Sequence, residues 1–277
     1  VCQTWNVPCY IERSRSGNGA HVWIFFETPV TAFKARKLGN AILTEAMNSD
    51  AHLSFKSYDR FFPNQDTLPE GGLGNLVALP LQGMARRKGN SVFVDENFNA
   101  YADQWNVLSQ IQKLSETDLD LLLRQHIVPA LGELSKTSEA KPWEAPQIDV
   151  TQTDNYPRQI VLTRANMLYV PLANLSAKCV NVFKRIAAFR NPEFYEKQGM
   201  RLSTYNIPRI ISCSEMTDDY LVLPRGCEDA VCDILTQHNV KIKISDKTNH
   251  GRSINVTFRG ELREEQQKAM EAFAEHN

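Results

Sequence analysis

The stretch ERSRSGNGAHVWIFF, residues 12–26, holds the residue types best suited to chemistry. A loop of Gly and Ser between two strands offers backbone N–H groups unobstructed by side chains, the usual way to cradle phosphate. Here Ser16, Gly17 and Gly19 supply that loop, and Arg13 and Arg15 add positive charge beside it. His21 stands where the loop enters an apolar strand, so its imidazole is held at the rim of a sheet. The same pattern also suits a polar β-hairpin with an incidental histidine. The loop is not a Walker A motif, because no Gly-Lys-Ser/Thr follows, and it lacks the dinucleotide G-x-G-x-x-G spacing.

Further cations stand in two places. Gln82, Arg86, Arg87 and Lys88 follow the apolar run LVALPL, expected to be buried, and three adjacent cations suit contacts to a triphosphate or a template backbone. They equally suit a solvated basic turn. In the second half Lys178, Lys184, Arg185, Arg190, Lys197, Arg201 and Arg209 interleave with Phe183, Phe189, Phe194, Tyr195 and Tyr205. Such interleaving fits single-strand binding by phosphate contact and base stacking, unless Phe183 and Phe189 face the core and leave only a charged helix face. Asp118 and Asp120 have D-x-D spacing but lie in a helical stripe. Alternate helix positions point about 200° apart and share no metal well. His52, His126, His238, His250 and His276 show no metal-ligand spacing. The second half carries no Walker A loop and no Asp-Glu-x-His box, so ATP hydrolysis is not expected there.

The elements that must position these residues follow from the apolar pattern. VPCYIE (7–12) and HVWIFFE (21–27) read as strands, the second apolar enough to be buried on both faces. From Thr31 a helix follows, with Thr31 as its cap. LSFKSYDRFF (53–62) alternates as a strand, PNQDTLPEGGLGN (63–75) is a loop, SVFVDE (91–96) is a strand, and 101–134 turns helical. SKTSEAKPWEAPQ, within 135–150, has the composition of an interdomain linker. Beyond it come strands around IVLTRANMLYV, a helix over 175–189, a second helix opened by Pro192, short strands RIISC and DYLVLPRG, and the helix CEDAVCDILTQHN. KIKIS and SINVTF alternate as strands, and ELREEQQKAMEAFAEHN closes the chain as a helix. The expected organisation is 1–134, a linker over 135–150, an α/β module over 151–259, and a helix over 260–277.

Composition bounds the rest. With 277 residues, 42% hydrophobic and 23% charged, the chain is an ordinary globular protein, which excludes a disordered tail, a collagen and a coiled-coil rod. No apolar run approaches the roughly 20 residues that cross a bilayer, and no membrane partner is expected. A net charge of −1 confines any nucleic-acid site to a local basic patch. The six cysteines form no C-x-x-C pair, and their scatter suits buried thiols of a reduced cytosol, hence a cytoplasmic expectation. The first residues show neither a basic n-region nor an apolar h-region, so no secretory signal is expected, and a chain that does not begin with Met is expected to be a fragment.

Ser-Gly-Asn-Gly-Ala-His followed by Val-Trp-Ile-Phe-Phe resembles the second motif of the archaeo-eukaryotic primase superfamily, a small residue, any residue, then His, here Gly19-Ala20-His21. SYDRFFPNQDTLPEGGLGNLVALPLQ (57–82) and VFVDENFNAYADQW (92–105) extend the resemblance to the primase domain of primase–helicase proteins encoded by TOTE conflict systems. NPEFYEKQGMRLSTYNIPRIIS and YLVLPRGCED resemble the segment that joins primase to helicase in such proteins. INVTFRGELREEQQKAMEAF is similar to the lead-in helix of a superfamily 2 helicase.

That resemblance implies an α/β (α+β) fold, with an RRM-like primase core followed by a smaller α/β module. It implies a nucleotidyltransferase acting on nucleoside triphosphates and a DNA template, joined to a helicase domain in the same parent chain. Mg2+ or Mn2+ would be its cofactor, held by a carboxylate pair and a third acid. His21 would contact the phosphates of the incoming nucleotide. Asp59 in SYDRFF is the favoured third acid and metal ligand, Asp95 in VFVDE its rival, and Asp66 ranks third. The carboxylate pair of the first motif should precede VPCYIE, and this sequence starts at Val1. The core is therefore expected to be N-terminally incomplete and inactive alone. A non-catalytic module that positions DNA for the helicase is the other reading.

Overall fold

The computed structural model describes residues 1–56, 61–63, 76–126, 156–200, 202–204, 206–249 and 251–275. Contacts divide it into Val1–Lys247 and Thr248–Asn277. Helices and strands mix as an α+β fold. No helix among the described residues is long and apolar enough to cross a membrane.

The first unit opens on a three-stranded antiparallel sheet. Central β1 (Tyr10–Arg13) is flanked by β2 (Ala20–Trp23) and β3 (Phe93–Val94). Pro29 stops the strand path, and Thr31, accepting from Lys34 N, starts α1 (Ala32–Ser49). Leu38, Leu114, Leu119 and Leu122 form the core beneath the sheet, joined by Ile24 and Phe26. The run 21–27 was expected to be buried on both faces. Instead β2 is an edge strand with Val22 62% exposed, and of this run Ile24 and Phe26, past the end of β2, pack against the core. LVALPL is also uncovered: Leu76 and Leu79 are 83% and 67% exposed and no strand forms there. Leu53 and Phe55 lie outside any strand and pack with Met47, Ala188 and Ile210. The rest of that expected strand falls largely outside the described residues.

After short α2 (Gly83–Arg86) and β3, the helical stretch expected from Tyr101 divides into α3 (Gln104–Ser109) and α4 (Glu116–Gln125), capped by Asp103 and Ser115. The break has a backbone cause. Leu114 N donates to Phe25 O and Glu27 N to Leu114 O, so this residue extends the sheet rather than a helix.

Beyond residue 156 a five-stranded sheet runs in the order β10-β4-β5-β9-β8. It comprises β4 (Gln159–Arg164), β5 (Leu168–Pro171), β8 (Glu215–Met216), β9 (Tyr220–Leu223) and β10 (Lys241–Asp246), the last parallel to β4. α5 (Ala177–Ile186), capped by Ser176, and α7 (Glu228–Gln237) cover it, with Phe183, Leu162, Leu168, Leu221 and Leu235 fully buried between. The helix expected to reach Phe189 stops at Ile186, because Ala188–Arg190 becomes β6 and pairs with β7 (Ile210–Ser212). α6 (Pro192–Gly199) starts with Pro in its first turn, as read from sequence. α1 and α5 pack together, and Asn181 Nδ2 donates to Asn48 Oδ1 at 3.4 Å. The expected linker, 135–150, lies outside the described residues.

In the second unit SINVTF (253–258) forms no strand: its apolar positions find no ladder partner and Val256 is 74% exposed. α8 (Glu264–Glu275) is present.

Candidate functional site

Strand register brings the site together. Glu12 of β1 lies opposite His21 of β2 and opposite Phe93 of β3, and Trp23 follows His21 on the same face because side chains alternate along a strand. The Glu12 side chain is buried, 2% exposed, and both of its carboxylate oxygens have partners. Oε2 accepts from Trp23 Nε1 at 2.8 Å and faces His21 Nδ1 at 3.2 Å, while Oε1 accepts from Ser91 Oγ at 2.9 Å. A carboxylate only accepts, so His21 carries a proton on Nδ1 and turns Nε2 outward. The imidazole is 54% exposed.

Ser91 is buried with a positive φ of 52°, and its hydroxyl also accepts from Gln82 N at 3.3 Å. Neither Glu12, Ser91 nor Trp23 stood out in the sequence. The available signal was a lone acid among β-formers, leading into a hairpin whose return strand opens on histidine.

The hairpin loop and the cationic turn are neighbours. Asn90 Nδ2 donates to Arg15 O at 3.3 Å, and Gly17, with φ +82°, lies so close to the Asn90 side chain that a Cβ would come within 2.9 Å of it. Arg15, Ser16, Arg86, Arg87 and Lys88 are exposed. Two expectations need correction here. The loop is not an open cradle of N–H groups: Gly17 N donates to Ser14 O, Gly19 N to Ser14 Oγ and Asn18 N to Ser16 Oγ. Nor is Arg13 directed at phosphate, since its guanidinium donates to the carbonyls of Gly89, at 2.8 Å, and Phe98, pinning the turn to the sheet. Gln82 Nε2 donates to Leu79 O, so the amide braces the turn.

Asp95 organises its own loop. Oδ1 accepts from Asn97 N at 2.9 Å and Asn99 N at 2.8 Å, and Oδ2 from Asn99 Nδ2 at 3.3 Å. These bonds, the Asn99 backbone first, hold its carboxyl below the usual range. Asp59 and Asp66 lie outside the described residues. Among the described residues no three His, Cys, Asp or Glu side chains gather to hold a metal ion, and both Glu12 oxygens already accept from protein donors. Among the described residues, then, no donor set for a divalent ion is assembled. Asp118 caps with Ser115, and Asp120 pairs with Lys34 at 2.8 Å.

The second-half cations do not assemble into one outward stripe. Lys184, read as a nucleic-acid contact, is 6% exposed, and its ammonium donates to the carbonyls of Ala51 and Leu53, inside the contact between α1 and α5. Burial pushes its pKa down. Arg209 is buried over the Phe194 ring, Arg190 lies over Tyr195, and Lys197 pairs with Glu193 at 2.8 Å. Arg185 is half-buried, and Arg201 lies outside the described residues. Phe183 is wholly in the core.

Compared with known families, residues 1–122 match the model described as the TOTE conflict system, Archaeo-Eukaryotic Primase domain. No curated protein matches the chain.

Proposed function

From the match of residues 1–122 to the archaeo-eukaryotic primase domain of TOTE conflict systems we propose that the chain is part of a primase-polymerase and that the His21 face of the sheet receives the triphosphate of an incoming nucleotide. One observation carries this reading: Glu12 occupies Nδ1 of His21 and leaves Nε2 of the half-exposed ring as the atom to meet a ligand. When the ring is protonated, Nε2 donates a charge-assisted hydrogen bond to a phosphate oxygen. Arg15, Arg86, Arg87 and Lys88 stand exposed on the adjoining loop and turn and supply the counter-charge. Arg13 and Asn90 hold these two segments against each other.

In nucleotidyl transfer the primer 3′-hydroxyl attacks the α-phosphate and pyrophosphate leaves. The role derived for this chain is to bind and orient that triphosphate. A DNA template, a helicase in the same parent chain, and Mg2+ or Mn2+ as the intact protein's cofactor belong to the proposal. Asp59 is its nominated metal ligand.

The test is a titration of nucleoside triphosphate against the full chain and against His21→Ala. Loss of a charge-assisted hydrogen bond weakens binding about tenfold or more. Equal affinity in the two proteins overturns the assignment of His21. Salt-sensitive single-strand binding with no triphosphate binding moves the reading to a DNA-positioning module.

A further inference from the structure

Beyond His21 the same strand path presents aromatic rings that the phosphate site does not use. Ile24 and Phe26 pack into the core with Leu38 and Leu114, so Trp23 and Phe25, which alternate with them, stand on the His21 face. Their rings lie 6.2 Å apart and nearly parallel, at 16°. Tyr10, opposite Trp23 in the register, sets a third ring 6.0 Å from Phe25, edge-on. All three are half-buried, and none joins a core cluster among the described residues. Their polar ends are tied down: Trp23 Nε1 donates to Glu12, and Tyr10 Oη accepts from Gln112 N at 2.7 Å. Rings fixed and partly exposed at the rim lose little freedom when something flat is laid on them.

We infer that Tyr10, Trp23 and Phe25 form a stacking platform for a base of single-stranded nucleic acid. The inference rests on the proposed function, which places phosphates at the His21 end. The occupant follows from charge and shape. The exposed cations Arg15, Arg86, Arg87 and Lys88 at that end suit a polyanion, and the rings beside it suit the planar groups the polyanion carries. A duplex keeps its base faces stacked inside, so the strand must be single. Stacking reads no hydrogen-bond pattern, so the platform takes any base sequence.

The experiment measures binding of a labelled oligothymidylate and of the same strand carrying abasic sites to the full chain, with and without saturating nucleoside triphosphate. Stacking of one base predicts roughly tenfold tighter binding of the base-bearing strand. That preference disappears in Phe25→Leu and in Tyr10→Leu, and it survives in Tyr10→Phe, which keeps the ring. Either leucine variant alone decides the matter if the other fails to fold, as judged by circular dichroism. Equal affinity of the wild-type chain for both strands, with triphosphate still bound, overturns the platform alone. A preference abolished by saturating triphosphate assigns the rings to the nucleotide's own base and overturns it too. A chain that binds neither strand nor triphosphate overturns the platform together with the reading beneath it.

Discussion

The Nδ1 of His21 lies 3.2 Å from Oε2 of Glu12, across an antiparallel pair in which the two residues are direct partners. The pairing is therefore a property of the sheet, not of a flexible loop. The same oxygen accepts from Trp23, and the other accepts from Ser91, so two donors hold the carboxylate before it meets the imidazole. His21 cannot turn its ring without giving up that contact. This fixes which nitrogen faces the solvent.

Removing the Glu12 carboxylate strands buried donors. Glu12→Ala leaves Ser91 Oγ and Trp23 Nε1 without their acceptor and is expected to cost about 3 kcal/mol of stability, read from the urea midpoint. Glu12→Gln keeps the volume and costs less, but its amide presents a donor as well as an acceptor to this cluster. Trp23 Nε1 only donates, so the amide oxygen takes the place of Oε2 and still accepts from Nδ1 of His21; the imidazole nitrogen shifts should keep the Nδ1–H tautomer in Glu12→Gln and lose that preference in Glu12→Ala. A tautomer unchanged in Glu12→Ala shows that Glu12 does not set it.

Much of this was legible from residue order. The hairpin with His21 at its rim, the capped α1, the helix opened by Pro192 and the strand at Phe93 all follow from local pattern. What escaped depends on pairing across the chain. Glu12 is one charged residue in a short strand until β3 and Ser91 close over it. Lys184 reads as a surface cation because the sequence does not show that α1 will lie against α5. The break at Leu114 was hidden because its pull toward Phe25 and Glu27 is a backbone effect without a side-chain signature.

Cys9 is expected to be a reactive thiol of the chain. The Cys2 thiol donates to its sulfur and holds its pKa down to about 7, while Cys2 itself is pushed up. Burial pushes Cys227 and Cys232 the other way. Alkylation of Cys9, followed by peptide mass spectrometry, should reach half its maximal rate near pH 7. In Cys2→Ala the midpoint should move toward the ordinary 9.0. A midpoint unmoved by that substitution removes Cys2 as the cause.

Gly39 in α1 is expected to reject a methyl group. A Cβ there would lie 1.9 Å from the Phe61 ring. Alanine favours a helix interior over glycine by about 1 kcal/mol, yet displacing the ring should outweigh this, for a net loss of about 1–2 kcal/mol. Thermal unfolding of Gly39→Ala measures it. Adding Phe61→Leu should recover most of the loss, and a double variant no better than Gly39→Ala would place the cost elsewhere.

Arg164 binds Glu228 through two contacts, Nε to Oε2 at 2.7 Å and Nη2 to Oε1, and reaches Asp246 at 3.2 Å. It thereby links β4 to β10 and to the first turn of α7, where a carboxylate also favours the helix N-terminus. The guanidinium, by hydrogen bond first and charge second, holds the Glu228 carboxyl below its usual 4.5, against the opposing effect of burial. A folded-state value below the unfolded one means the native state favours the ionised form. Its contribution is present above about pH 4.5 and lost as pH falls through the folded value. Thermal midpoints of the wild-type chain and Glu228→Gln should therefore differ most near neutrality and converge on acidification. A constant gap across that range would show that glutamine disturbs packing and that the Arg164–Glu228 ion pair contributes nothing to stability.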